Sequence, residues 1–442
     1  MQPGRSLRGV VDRKEGERTM RRNVFWLLTG LLLLTGCVQP QVDLDPQEAR
    51  PTVTVTYYSE PTAVAPAVDL PDVAGYDDFM SVLSAAVLDG TGNKNLSPVS
   101  VYIALSMAAE GARGETQREL LVLLGAQNAE EMRTTAEELL SSLEVRGETG
   151  EIALADSIWL GEQDSTVSFR EAYLELLRTS YDAEARSVPF GDPAAGEEIA
   201  AWIREKTREK INISEDAMRF DADTLAVLIN TVFLKDGWRE PFNEDRTEQG
   251  IFFGLNGKEG TADYMRRTDL NGTIVRGEGF LRYALPLNEV GRMVFVLPDE
   301  GVSLESLLGS PESMEKLLHS GENKKADVDL MVPKFGFQDR TNLEEILQSL
   351  GVQTCFTGMA DFSGMTDTPV YISRVLQESR IDVDENGVAA AAYTLVAMAK
   401  GAAIPAEREK VDFHLDRPFL YAIESRDGTV LFLGAVTEPV QN

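Results

Sequence analysis

From Tyr76 to the carboxyl end, helical periodicities come first and long strand-like runs come later, with no linker, repeat or low-complexity tract between them. Phe79, Val82, Leu83, Ala86 and Val87 recur with helical period. Ser97-Pro98 supplies an N-cap followed by proline at the first helical position, opening a helix through Ile103 and Met107. Thr116 with Glu119 three residues on predicts a capping box for a helix through Leu124. Strand-like runs follow at Ile152 to Leu160, Leu225 to Leu234, Met293 to Leu297 and Val328 to Val332. Phe419 to Glu424, a turn at Arg426-Asp427-Gly428 and Val430 to Val436 spell a hairpin. Regular βαβ winding would alternate the two kinds of element. This order instead predicts a mixed α+β fold around a large sheet, one continuous unit over residues 76–442.

The amino-terminal part reads as an address and a tether. Arg21 and Arg22 precede an apolar run from Val24 to Leu34, which is too short for the ~20 residues that span a bilayer. Met20, just before the basic pair, is a second candidate start. Basic residues, a short apolar core and Leu34-Thr35-Gly36-Cys37 form an export signal over residues 1–36. Ending on cysteine, it resembles the bacterial lipoprotein signal, which implies a lipid on Cys37. Residues 37–75 hold six prolines and many acids, so they read as a tether reaching about 35 Å. Within it, Val53 to Tyr57 alternates like an edge strand but is assigned to the linker.

Charge narrows the partners. The chain carries −30, and its first thirty-six residues hold seven basic against three acidic side chains, leaving −34 on the rest. Nucleic acid and heparin-like polyanions are excluded as partners on that surface, whereas basic proteins are attracted. Two histidines, His319 and His414, and two cysteines, Cys37 and Cys355, cannot build a Cys/His zinc site or a disulfide framework, and no metal or cofactor is expected. With Cys37 lipidated, only Cys355 remains. No G-x-S-x-G elbow, phosphate loop or His-nucleophile motif occurs, so the chain reads as no enzyme. Both histidines are expected to be structural or solvent-facing.

The informative segment is Glu385 to Lys400. Asp384-Glu385-Asn386-Gly387 is a polar turn whose glycine can adopt positive φ, and Val388 to Ala392 are all small. Alanine propensity favours a helix there. Size equally suits a crowded strand, with Val388, Ala390, Ala392 and Thr394 on a buried face and Ala389, Ala391, Tyr393 and Leu395 on the other.

Around that segment the chain resembles the serpin family. The matching stretches are Asn93 to Ser100, Gly111 to Thr116, Asn230 to Trp238 with Pro241-Phe242, Pro333-Lys334-Phe335, Asp361 to Met365, the segment from Glu385 to Ala392, and Arg417 to Leu420. The resemblance implies the serpin fold, with three β-sheets, eight or nine helices and an exposed reactive loop from about Gly387 to Val411. It implies a hinge at Glu385, Asn386, Gly387, Val388, Ala389, Ala390, Ala391 and Ala392, and a sheet-opening region at Asn93, Ser97, Ser100, Asn230, Trp238 and Gln377. Family spacing puts the reactive bond at Lys400 and Gly401.

The same resemblance implies an inhibitor of serine endopeptidases, and also of cysteine endopeptidases, that is consumed by its target. The protease acylates itself on the loop, and the freed loop inserts as a central strand of the largest sheet. The native state must then be a kinetic trap. Three departures stand out. Val388 replaces the usual threonine or serine, the stretch between Lys400 and Val411 is longer than usual, and Gln377 replaces a usual histidine, its amide able to bond Ser97 or Asn93. The expectation is a monomeric, exported inhibitor on the cell surface, anchored to the membrane through Cys37. The rival is a serpin-fold binding or chaperone-like protein whose loop does not insert, which charged or bulky residues at Val388, Ala390 or Ala392 would favour.

Overall fold

In a computed structural model of the chain, the described residues are 73–143, 145, 150–162, 167–389 and 408–440. Cys37, the export signal, the tether as far as residue 72, and Ala390, Ala391, Ala392, Lys400 and Gly401 lie outside them.

The helices are α1 (Tyr76–Val87), α2 (Pro98–Gly111), α3 (Gly114–Leu123), α4 (Ala129–Ser142), α5 (Glu171–Ser180), α6 (Pro193–Lys206), α7 (Leu304–Leu307), α8 (Pro311–His319) and α9 (Glu344–Ser349). The strands are β1 (Lys94–Leu96), β2 (Glu151–Gly161), β3 (Glu184–Val188), β4 (Ala226–Gly237), β5 (Glu248–Phe253), β6 (Glu259–Arg276), β7 (Phe280–Pro286), β8 (Gly291–Pro298), β9 (Glu322–Pro333), β10 (Phe335–Asn342), β11 (Ile372–Val383), β12 (Gly387–Val388), β13 (Glu409–His414), β14 (Phe419–Ser425) and β15 (Val430–Val436). Helices dominate the first half and strands the second, as the sequence order predicts.

Among the described residues hydrogen bonds group these strands into two sheets rather than the three implied. One is six-stranded, in the order β10-β11-β12-β4-β2-β3; the other is nine-stranded, because the long β6 and β9 carry pairing from one half of it into the other. Helix α2 lies between the two sheets, against β2 and β4 on one side and β15 on the other, and all its residues are buried. A helix that is apolar all round has no solvent face to offer. Its start follows the sequence signal: Ser97 Oγ accepts the Ser100 amide at 3.4 Å, and Pro98 occupies the first turn. On the outer face of the six-stranded sheet, Ile199, Trp202 and Ile203 of α6 cover Trp159, Val227 and Ile229. The Trp159 and Trp202 rings meet edge to face, 6.0 Å apart. Covered on both faces, β4 is buried at nearly every residue, the pattern of a central strand.

The predicted capping box is not formed. Helix α3 starts at Gly114, so Thr116 lies inside it. Its hydroxyl accepts the Asp361 amide, and Glu119 accepts the Gln353 and Thr354 amides at 2.8 and 2.7 Å. Both side chains tie a distant segment to the helix by accepting three amides that have no backbone acceptor there.

Candidate functional site

Strands β4 and β11 run parallel along the middle of the six-stranded sheet, paired from Ala226 and Ile372 up to Phe233 and Arg380. Above that level they part. The gap is filled by β12, whose Gly387 and Val388 pair with Gly237 and Asp236 of β4, while Val388 also pairs with Val383 of β11. Val388 is fully buried in the main core, on the face its alternation assigns. The implied exposed loop is therefore corrected at both ends. Gly387 and Val388 already lie within the sheet, because the diverging strands offer unpaired backbone groups and an apolar floor; Val411 lies inside β13, paired with Val328.

The hinge turn is held mainly by main-chain bonds. Trp238 N donates to Asn386 O at 2.8 Å, Trp238 Nε1 to Asp384 O at 2.8 Å, and Phe242 N to Glu385 O at 2.9 Å. Gly387 has φ 153°, and a Cβ there would lie 2.2 Å from Asp236 O, so no other residue fits between the strands. Ala389, just past β12, has φ 48° while its amide donates to Asp382 O at 2.6 Å. A left-handed alanine costs about 1–2 kcal/mol. That strain would be released if the residue took up strand geometry.

Two buried carboxylates brace the hinge. Glu385 accepts from Thr247 Oγ1 at 2.7 Å and pairs with Lys334 Nζ at 2.9 Å. Burial pushes its pKa up, but the Lys334 ammonium and the Thr247 hydroxyl outweigh this and hold it below the usual carboxylate range. Asp236 accepts the amides of Glu289, Val290 and Gly237 at 2.9, 2.8 and 2.8 Å, and burial still leaves its pKa raised. Lys334 and Asp236 lie inside stretches that match the family but carry no role in the sequence reading, and Thr247 lies outside those stretches.

Lower on the seam a polar row crosses three strands. Gln377 of β11 pairs in register with Asn230 of β4, and Asn230 with Asp156 of β2. Gln377 Nε2 donates to Asn230 Oδ1 at 2.9 Å and to Ser97 O at 3.0 Å, while its Oε1 accepts the Ser97 amide at 2.9 Å. Asn230 Nδ2 in turn donates to Asp156 Oδ1. Asp156, missed in the sequence among many acidic residues, is 2% exposed, and burial pushes its pKa up to about 7 against the opposing Asn230 bond. The other Asp156 oxygen, Oδ2, has no partner.

The expected sheet-opening residues thus fall into separate places. Ser97, Asn230 and Gln377 form the row, with Ser100 one turn into α2. Trp238 belongs to the hinge. Asn93 belongs to neither: its Oδ1 accepts the Thr437 amide at 2.8 Å and the Glu438 amide at 3.1 Å, so of the two partners open to Gln377 only Ser97 is used. Asn93 is drawn to the chain's carboxyl end because those amides lie past the end of β15 and need an acceptor. Of the remaining candidates, Cys355 is buried and free, His319 is exposed at the end of α8, and His414 lies half-buried beside Asp329. Among the described residues no helix is long and apolar enough to cross a membrane.

A parallel strand pair opened at one end and wedged by the first residues of a following loop is a specific arrangement, and the comparison with known families agrees with it. The profile of the serpins, described as serine protease inhibitors, matches residues 76–439. The chain belongs to the serpin family. An uncharacterised serpin-like protein of Thermococcus kodakarensis is 30% identical, the match covering 95% of this chain and 99% of that one. Among solved structures, the thermophilic serpin tengpin in its native state matches with TM-score 0.73 at 25% identity, over 83% of this chain and 93% of that one. Thyroxine-binding globulin in complex with thyroxine matches with TM-score 0.71 at 25% identity, over 83% and 98%. The fold is thus that of a serpin, a family made up mostly of protease inhibitors rather than catalysts.

Proposed function

We propose that this serpin is an exported, lipid-anchored suicide-substrate inhibitor of serine endopeptidases, with cysteine endopeptidases as a further target class. The observation that carries the reading is β12: the hinge has already entered the sheet by two residues, at a place shaped to accept more. In the proposed reaction the protease nucleophile attacks the carbonyl carbon of Lys400, the Lys400–Gly401 bond breaks, and the Gly401 amine leaves with a proton. The residues from Ala389 onward then pair with β4 and β11 in turn. The twelve residues of β4 make a strand of about 40 Å, and Val388 to Lys400 extends equally far at ~3.3 Å per residue, so the acyl-bound protease would be carried the length of the sheet. Ala389 would lose its left-handed strain on the way. Small residues at 390, 391 and 392 suit a strand squeezed between two neighbours.

Incubation with trypsin-, elastase- and subtilisin-like proteases, followed by SDS electrophoresis, tests this. A complex that survives SDS, with a released peptide beginning at Gly401, is expected. A peptide beginning at Glu409 would overturn the assigned bond. Complete cleavage without any complex would leave the rival reading, a serpin-fold binding protein, which the likeness to a thyroxine carrier supports. Anchoring is tested separately: Cys37→Ser should release the protein from membranes, and continued detergent-dependent association would refute a lipid at Cys37.

A further inference from the structure

Among the described residues β13 is an edge strand of the nine-stranded sheet, pairing with β9, with which it runs parallel from Glu409 and Ala326 to His414 and Met331. We propose that Asp329, Asp412 and His414 form a binding site for a divalent zinc-class ion that bridges these two strands. Asp412 and His414 are two residues apart and so share a face of β13. Asp329 is the register partner of Asp412 across the ladder. One ligand atom from each of the three lies within 4.8 Å of the others, and His414 Nε2 is 3.0 Å from Asp329 Oδ2. Zinc held at its usual bond lengths sets tetrahedral ligand atoms about 3.3–3.5 Å apart, so small rotations of exposed side chains close the site. Water would complete the coordination. Imidazole with two carboxylates suits zinc-class ions better than calcium or magnesium, which ask for six or more oxygens.

The charge pattern of this face points the same way. Two carboxylates directly opposite one another on adjacent strands repel. Arg408 lies 3.6 Å from Asp327 and Arg266 contacts Met331 Sδ and Glu248, while Lys410, in register with Asp327, shares the face of Asp412. Thr268 donates to Asp329 at 3.4 Å, and among the described residues the Asp412 carboxylate has neither a hydrogen bond nor an ion pair. A bound cation removes the repulsion and adds a further side-chain bridge beside the Arg408–Asp327 and Arg276–Glu409 contacts. The expectation of no metal rests on the count of histidines and cysteines, which leaves out a site made of one histidine and two carboxylates, with Asp329 85 residues from His414.

Titration of the full chain with ZnCl2 by calorimetry, alongside His414→Ala and Asp412→Asn, tests the site. One binding event weakened at least about tenfold in each variant is expected. Because the sequence holds only two histidines, imidazole nitrogen spectra resolve which one binds: His414 should shift with zinc while His319 stays. At ten times the dissociation constant, hydrogen exchange of residues 409–414 should slow about elevenfold, and MgCl2 should not reproduce this. Identical zinc isotherms in both variants, or an unmoved His414 resonance at millimolar ZnCl2, would overturn the proposal. No protease enters these measurements, so they stand or fall apart from the inhibitory reading.

Discussion

The seam between β4 and β11 has two unlike halves. At its top the strands have separated, Val388 fills the space, and the contacts holding it are mostly main-chain bonds around Trp238 and the Glu385–Lys334 pair. In its middle the strands pair directly, and Gln377, Asn230 and Asp156 link them through side chains to each other and to the N-cap of α2. A strand entering from the top meets a main-chain groove first and a buried polar row second. In the proposed reaction the upper half would govern how readily insertion begins, and the lower half how readily it continues, which can be tested by perturbing one half at a time.

The largest effect is expected from Ala390→Glu. If β12 continues downward with strand alternation, residue 390 falls on the face of Val388, which is buried in the core. A carboxylate forced there must be desolvated or protonated, at a cost of several kcal/mol. Insertion should become slower than deacylation, so the variant is cut without trapping its protease. Ala391→Glu, on the other face, should be much milder. The readout is moles of inhibitor consumed per mole of protease silenced; values for Ala390→Glu and Ala391→Glu both equal to wild type would overturn insertion along this seam, whereas a loss in Ala391→Glu alone would overturn the facing assigned to residue 390.

Second in size is Glu385→Lys. It removes the partner of Lys334 and sets two ammonium groups together at a site where Glu385 is 5% exposed. Breaking a buried pair this way costs roughly 3–5 kcal/mol, reduced here because Lys334 reaches solvent. Since the Glu385 pKa is lowered in the fold, the wild-type contribution is present above the usual carboxylate range and is lost as pH falls through the folded value. Urea unfolding at neutral pH should show the loss, and the difference between wild type and variant should shrink in acid. A constant difference at every pH would mean that the ion pair is not its source.

These two sites differ in how far the sequence reveals them. The polar turn, Gly387 and the small residues after it are visible because backbone conformation and side-chain size are local properties. Ser97 with Pro98 is read correctly for the same reason. Whether Val388 lies in solvent or between strands depends on where β4 and β11 diverge, which no local pattern encodes. Thr116 and Glu119 show the converse: a correct local motif is overridden when distant amides need acceptors. Asp156, Asp236 and Lys334 gain their meaning only from register across strands far apart in the chain.

The middle of the seam is probed by Asp156→Asn, with an effect set by pH. Burial raises the Asp156 pKa to about 7, above its unfolded value, so the native fold holds a proton that the unfolded chain releases. Wild-type stability from this group is complete in acid and falls as pH rises through the carboxylate range toward 7, by a few kcal/mol in total. The asparagine variant should lose that slope. Its amide can still offer an oxygen to Asn230, so the row should survive. Stability measured in urea from pH 4 to pH 8 would show the two curves diverging toward neutrality, and parallel curves would mean that Asp156 does not titrate in this range.

The smallest effect separates the two halves most cleanly. Trp238→Phe keeps an aromatic ring against Phe242, 6.3 Å away and edge to face, but removes the Nε1 donor to Asp384 O. One hydrogen bond of this kind contributes about 1 kcal/mol, near a fivefold change in a local opening equilibrium. Native-state hydrogen exchange should accelerate by that factor at Ala389, whose amide is bonded across the hinge to Asp382 O. The amides of Asn230 and Gln377 should not respond, because the row is fixed by its own contacts with Ser97 and Asp156. Equal acceleration in both places would mean that hinge and row open as one unit, and the division of the seam into an entry and a barrier would then be wrong.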